Sequence, residues 1–180
     1  MSIRRQIRVL IIALTLLCQL SGIRQGVAQD TYYQSQSLFI YKFTKYIIWP
    51  KNMTSGNFVI CVYGNSPVVK ELETMAALKK AGKGQNIVIV QVQTLDNLPK
   101  AHILYIPSSK SRELADIMEK TKKAGVLIIA EREGLAKKGA VINFMTTEDE
   151  LLKFEINVAR LKEQLLDIMP ELLKLGYKVG

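Results

Sequence analysis

Four short apolar runs, separated by helix-length stretches, constrain this fold more than any other feature. They are Phe58 to Tyr63, Ile87 to Val92, His102 to Ile106 and Gly125 to Ala130. Runs of this length, rich in β-branched residues and without alternation, suit strands covered on both faces, as in a parallel sheet. The stretches between them carry helix signals. After Gly64-Asn65, Ser66 is a good N-cap and Pro67 a good first helical residue. The spacing predicts a helix over 67–79 with Val68, Leu72, Met75 and Leu78 inward, stopped by Gly82-Lys83-Gly84. Pro107-Ser108-Ser109 opens a second helix near 109–123, with Leu114, Ile117 and Met118 on its inner face.

The flanks differ. Tyr32, Gln36, Phe39, Phe43 and Tyr46 recur at three- and four-residue steps and predict an amphipathic helix over 32–48. Gln36 is the one polar member of that stripe. The helix should end before Pro50, because a residue preceding proline avoids helical geometry. Beyond Glu131, Gly139 to Phe144 reads as a strand, and Leu151 to Ile156 as its hairpin partner, with Leu152, Phe154 and Ile156 alternating. Thr147 and Glu150 also fit a capping box, but the strand reading is preferred. The tail over 158–175 reads as helix with a break at Met169-Pro170. The expected fold is therefore an α/β three-layer sandwich: a mixed, mainly parallel central sheet flanked by helices.

The N-terminus reads as a targeting segment. Arg4, Arg5 and Arg8 precede an apolar run from Val9 to Leu20, and Gly26 and Ala28 have the small-residue spacing of a cleavage site. We expect residues 1–28 to be a signal peptide and 29–180 to form a single domain. The apolar run is short against the roughly 20 residues that span a bilayer. Cys18 follows the bulky Leu17, which disfavours lipidation. Cleavage removes Cys18 together with Arg4, Arg5, Arg8 and Arg24, and lowers the formal charge from +9 to about +5. The remaining lysines lie in mixed-sign surroundings, so no nucleic-acid partner is expected. Only Cys61 remains, inside an apolar run, where it reads as a small buried hydrophobe.

Chemistry is scarce. His102, the sole histidine, directly precedes an apolar strand and reads as structural. One histidine and one cysteine make no transition-metal site. Gly82-Lys83-Gly84 lacks the spacing of a phosphate loop, and no cofactor is expected. Glu131, Glu133 and the run Glu148-Asp149-Glu150 read as solvated loops. The balance favours a binding or regulatory protein over an enzyme.

Several blocks together resemble one family. Phe43-Thr44-Lys45-Tyr46-Ile47-Ile48-Trp49-Pro50 is similar to the opening signature of the YfiR family. Phe58 to Pro67, Ala101 to Ile106, Gly125 to Ile128, Gly139 to Phe144, Phe154 to Asn157 and Leu172 to Leu175 resemble its later blocks in the same order. The resemblance implies a periplasmic protein that binds the sensor region of the membrane diguanylate cyclase YfiN and represses it. Release then raises cyclic di-GMP and promotes biofilm. It also implies a homodimer and a disulfide-based redox response. The single remaining cysteine departs from that last feature. Related domains accompany sensor histidine kinases, so the inner-membrane receptor with its periplasmic sensor region could be of either class. The contact surface is expected as an exposed apolar or aromatic patch near Trp49, Pro50 and Tyr63. The competing reading is a periplasmic small-ligand-binding domain using the turns at 64–67 and 106–109. Both turns follow strand C-terminal ends, where open parallel sheets bind ligands.

Overall fold

The computed structural model describes residues 29–180. The signal segment expected over 1–28 lies outside the described residues. Helix α1 occupies 29–46. The short β1 (Ile47–Ile48) follows, then β2 (Phe58–Tyr63), α2 (Val68–Leu78), β3 (Ile87–Val92), β4 (Ile103–Ile106), α3 (Leu114–Lys120), β5 (Leu127–Ala130), β6 (Ile142–Thr146) and β7 (Leu152–Asn157). The chain closes with α4 (Val158–Glu163), β8 (Asp167–Ile168), α5 (Pro170–Leu173) and β9 (Tyr177–Val179).

Seven strands form the central sheet in the order β3-β2-β4-β5-β6-β7-β9. Only the β6–β7 hairpin is antiparallel, with Phe144 opposite Phe154, and the other neighbours run parallel. The expected α/β sandwich with a mixed, mainly parallel sheet is what forms. Three of the four continuous apolar runs are interior strands, and every residue of β4 and β5 is buried, whereas Ile87 to Val92 forms the edge strand β3, half-buried along much of its length with Gln91 exposed. Helix α1 covers the hairpin end of the sheet with an aromatic cluster. Phe43 lies 5.1 Å from Phe154 and 6.1 Å from Phe144, ring centre to ring centre. Ser37 of α1 donates to the Glu71 carbonyl of α2, so the two helices are neighbours.

Gln36, the polar exception in the α1 stripe, is fully buried and accepts the Tyr105 hydroxyl at 2.6 Å. Its oxygen serves an interior partner.

The sequence reading needs correction at several places, the first being the helix expected over 32–48, which ends at residue 46 and gives way to β1. Leu78 is 75% exposed, because α2 ends there and its last turn clears the sheet. The segment 109–123 divides into a 3-10 stretch, Ser108–Glu113, and the short α3. The tail is the largest departure. Helix α4 ends at Glu163, and Leu165 then adopts φ +59, which turns the chain out of the helix. The next residues form β8, antiparallel to β1 through Ile47–Ile168 and Ile48–Asp167. Beyond α5, Gly176 lets β9 lie against β7, since a Cβ there would meet Phe154 at 2.5 Å.

Candidate functional site

The strand order reverses between β2 and β4. Chain progress moves from β2 out to β3, then returns to β4 on the other side. A doubly wound sheet places its ligand crevice at such a point, outside the strand C-termini. The turns at 64–67 and 106–109 do meet there, but this protein fills the gap with its own side chains. Lys110 lies 4.7 Å over the Tyr63 ring and pairs with Glu113 at 3.0 Å. The Tyr63 hydroxyl donates to the same carboxylate. Gly64, at φ +89, gives Lys110 its room, because a Cβ would sit 2.9 Å from the lysine Cγ. The group is electrostatically self-consistent. Burial and the neighbouring carboxylate raise the Tyr63 pKa, while the Tyr63 and Lys110 hydrogen bonds lower that of Glu113. Next to it, Glu131 accepts the Ser108 N–H at 3.0 Å, so this carboxylate closes a turn and is not merely solvated.

The opposite end of the sheet is open. A cavity of about 400 Å³ lies between the end of α1, the 49–54 segment, the 82–85 turn and Met169. A volume of that order sits at the lower end of the range for small-molecule clefts. Trp49 and Phe58 form its aromatic floor, edge to face at 5.0 Å. Ile48, 46% exposed, and Met169, 38% exposed, form an apolar rim. Lys45 and Lys83 supply its charge, and among the described residues no carboxylate lines it.

His102 pins this floor. Its ring stacks on Phe58 at 4.2 Å. Its Nδ1 accepts the Val59 N–H at 3.1 Å, so that nitrogen carries no proton. Nε2 therefore holds the ring hydrogen and donates it to the Met53 carbonyl at 2.7 Å. Protonation would set a second N–H against the Val59 donor. Burial also lowers the histidine pKa, and the ring is neutral. The Trp49 indole N–H donates to the His102 carbonyl at 3.3 Å. One histidine thus ties the 49–53 segment to β2 and β4, the structural role expected from its position.

The three residues expected to share an exposed patch do not share one. Trp49 is 9% exposed and Tyr63 2%. Trp49 packs on Phe58 at the start of β2, and Tyr63 ends that strand, roughly 17 Å away at strand rise. Pro50 is partly exposed and adjoins Trp49. An aromatic side chain with a polar handle buries its ring where packing is available, and both rings found partners. The exposed apolar groups that line the Trp49 groove are Ile48 and Met169. Sequence reasoning missed Met169, because its proximity to Trp49 depends on the β1–β8 pairing. Cys61 is fully buried, and burial pushes its thiol pKa up to about 11.

A family model described as YfiR/HmsC-like matches residues 33–177, which span all nine strands up to the first residue of β9. The chain belongs to the YfiR/HmsC-like family. YfiR-like proteins are regulators, and the membership supports a regulatory theme in signal transduction. No curated protein matches the chain. Among the described residues, no helix is long and apolar enough to cross a membrane.

Proposed function

We propose that this protein is a periplasmic regulator that represses or modulates a membrane signalling receptor, a diguanylate cyclase or a histidine kinase. In this reading it seats an apolar segment of the receptor's periplasmic region in the Trp49 groove. The observation that carries it is the groove's construction: an exposed apolar rim, Ile48 and Met169, over an aromatic floor held in place by His102. Exposed apolar side chains around a concave, preformed site mark an interaction surface. Lys45 and Lys83, with no carboxylate among the described residues of the lining, favour a partner segment that is acidic at its flank. Trp49 and Pro50 remain in the proposed surface as floor and edge, whereas Tyr63 belongs to the filled crevice. That filling also weighs against a small-ligand domain working through the turns at 64–67 and 106–109.

The test is the double variant Ile48→Gln with Met169→Gln, two exposed positions whose change to a neutral polar side chain should leave folding intact. Photocrosslinking in intact cells should recover an inner-membrane receptor with the native protein and lose it with the variant. Cyclic di-GMP or kinase output should shift in the same cells. An unchanged crosslinked product would refute the groove as the contact. Recovery of no inner-membrane protein at all would sink the receptor reading itself.

A further inference from the structure

Along the sequence the lysines look dispersed among acidic residues, yet the balance is uneven. Residues 38–90 carry seven lysines against two glutamates, whereas the rest of the described chain carries fourteen basic residues against fourteen acidic ones. The whole formal excess of about +5 therefore falls on the stretch that runs from α1 into β3.

The fold gathers six of those seven lysines at one end of the sheet, where the parallel strands begin. Lys45 and Lys79 lie over the same Tyr41 ring, at 5.3 and 5.9 Å, and Lys42 lies over Phe39. The Lys45 ammonium also donates to the Ala81 carbonyl at 3.3 Å, and the Gly82 N–H donates to the Thr44 carbonyl at 3.1 Å. The end of α1 and the turn that carries Lys79, Lys80 and Lys83 thus form one surface. The Gln85 side chain bonds the Met53 and Gly56 carbonyls, which sets the segment of Lys51 against the same turn. Among the described residues, none of the six lysines forms a salt bridge. Glu71 and Glu73 ride earlier in α2, roughly 9 Å or more from Lys79 along the helix axis.

Three features say what covers this surface. Like charges held together without acids repel each other, and an extended polyanion relieves that repulsion. Only Lys45 and Lys83 line the Trp49 groove, so a segment seated in the groove leaves the other four lysines unmet. Leu78 stands beside Lys79 at 75% exposure, so the surface offers apolar contact as well as charge. A nucleic acid fits less well, because two lysines already occupy the Tyr41 ring on which a base would stack.

We propose that this end of the molecule docks on a bilayer surface rich in anionic phospholipid. The lysines meet headgroup phosphates, and Leu78 enters the interface. Docked this way, the Trp49 groove opens at the bilayer, beside the point where a membrane receptor emerges. The docking itself does not depend on the receptor reading.

The protein purified after export, its processed N-terminus confirmed by mass, is sedimented with phosphatidylglycerol vesicles and with phosphatidylcholine vesicles. Saturable binding is expected on the anionic vesicles alone, and it should be lost as salt rises from about 0.05 M to about 0.5 M. A lysine at an anionic surface is worth about fivefold in affinity, so Lys79→Gln with Lys80→Gln should weaken binding at least about tenfold at an unchanged Tm. Lys70→Gln with Lys153→Gln removes the same charge elsewhere, on the first turn of α2 and on β7, and should bind as the native protein does. Leu78→Gln should weaken vesicle binding about threefold without lowering the Tm. Poly-glutamate serves as the comparison polyanion. No binding to anionic vesicles at up to about 1 mM lipid would overturn the proposal. Equal losses in the two lysine double variants would overturn it too, since net charge and not this surface would then be acting. Binding to poly-glutamate as tight as to the vesicles, with vesicle binding indifferent to Leu78→Gln, would assign the surface to an acidic protein segment instead.

Discussion

Replacing His102 by leucine tests whether the groove floor is held as the geometry says. The substitution keeps an apolar side chain of similar reach and removes both ring hydrogen bonds, to the Val59 N–H and the Met53 carbonyl. Leaving a buried donor or acceptor unpaired costs about 1–3 kcal/mol each, and the stack on Phe58 contributes about 0.5–1.5 kcal/mol more. The Met53 carbonyl also accepts from the Gln85 side-chain amide at 3.4 Å, which recovers part of that loss. We therefore expect a net cost of about 2–4 kcal/mol, against a total stability on the order of 5–15 kcal/mol for a domain. The Tm should fall by roughly 5–15 °C. Urea unfolding followed by tryptophan fluorescence is the assay, since Trp49 is the only tryptophan and bonds the His102 carbonyl directly. The pH dependence supplies a second readout. Burial lowers the His102 pKa in the folded state, so the unfolded chain takes up the proton first. Its contribution is full above the unfolded pKa of about 6.5 and is lost as pH falls below that value, at up to about 1.4 kcal/mol per pH unit. The leucine variant should lack this component, and subtracting its curve removes the carboxylate background. A cost under about 1 kcal/mol, or parallel acid profiles for the two proteins, would refute the neutral, doubly bonded histidine.

The remaining predictions concern packing and reactivity. Gly82→Ala would place a Cβ 2.7 Å from the Thr44 carbonyl, a backbone atom that cannot swing away. It should cost about 1–3 kcal/mol in chemical denaturation and lower receptor capture, because both residues line the groove. Tyr63→Phe should destabilise by about 1 kcal/mol in urea titrations, while the Glu113 pKa, read by carboxylate NMR, climbs back towards its ordinary value. Because that pKa is lowered in the fold, the Glu113 contribution is present above about pH 4.5 and disappears as pH falls through the folded value, so the variant should differ from the native protein least in acid. Native Cys61 should react with a thiol reagent only as fast as the protein opens, since its thiol is buried and its pKa is pushed up to about 11. Rapid labelling under native conditions would contradict that burial.

The parts of the fold visible in the sequence are those set by local pattern. A run such as Phe58 to Tyr63, short and rich in β-branched residues, suits a strand covered on both faces, and it takes an interior place in the sheet. The hairpin strand was legible because Leu152, Phe154 and Ile156 alternate. The closing segment was not, because its structure depends on distant partners. Asp167-Ile168 is a strand only because Ile47-Ile48 lies beside it, and Tyr177–Val179 only because Gly176 admits β7. No periodicity operates over two or three residues, and tertiary pairing overrides helical propensity there. The same long-range pairing hid half of the groove rim. Trp49 could be named from its aromatic character, but Met169 could not, since it reaches the groove through β8 and through a bond from its N–H to the Tyr46 carbonyl.

The two ends of the sheet have divided their roles in a way that the architecture alone would not suggest. A doubly wound sheet offers its strand C-termini to a ligand, and this chain closes that position with Lys110, Tyr63 and Glu113. The closure has a consequence for function. A protein that acts by contact, as proposed above, needs a rigid body and a shaped surface. The rigid body is supplied at one end by the filled crevice and at the other by His102, whose ring and carbonyl fix Val59, Met53 and Trp49 at once. The shaped surface is the groove those bonds hold open, with its apolar groups exposed at the rim and its rings packed beneath. If the Ile48 and Met169 rim is the contact, then loosening the floor should weaken the contact without touching it. His102→Leu should therefore reduce receptor crosslinking at a temperature where the variant is still folded. A fully folded His102→Leu protein that captures receptor as well as the native chain does would separate the pin from the surface, and would show that the rim alone carries recognition.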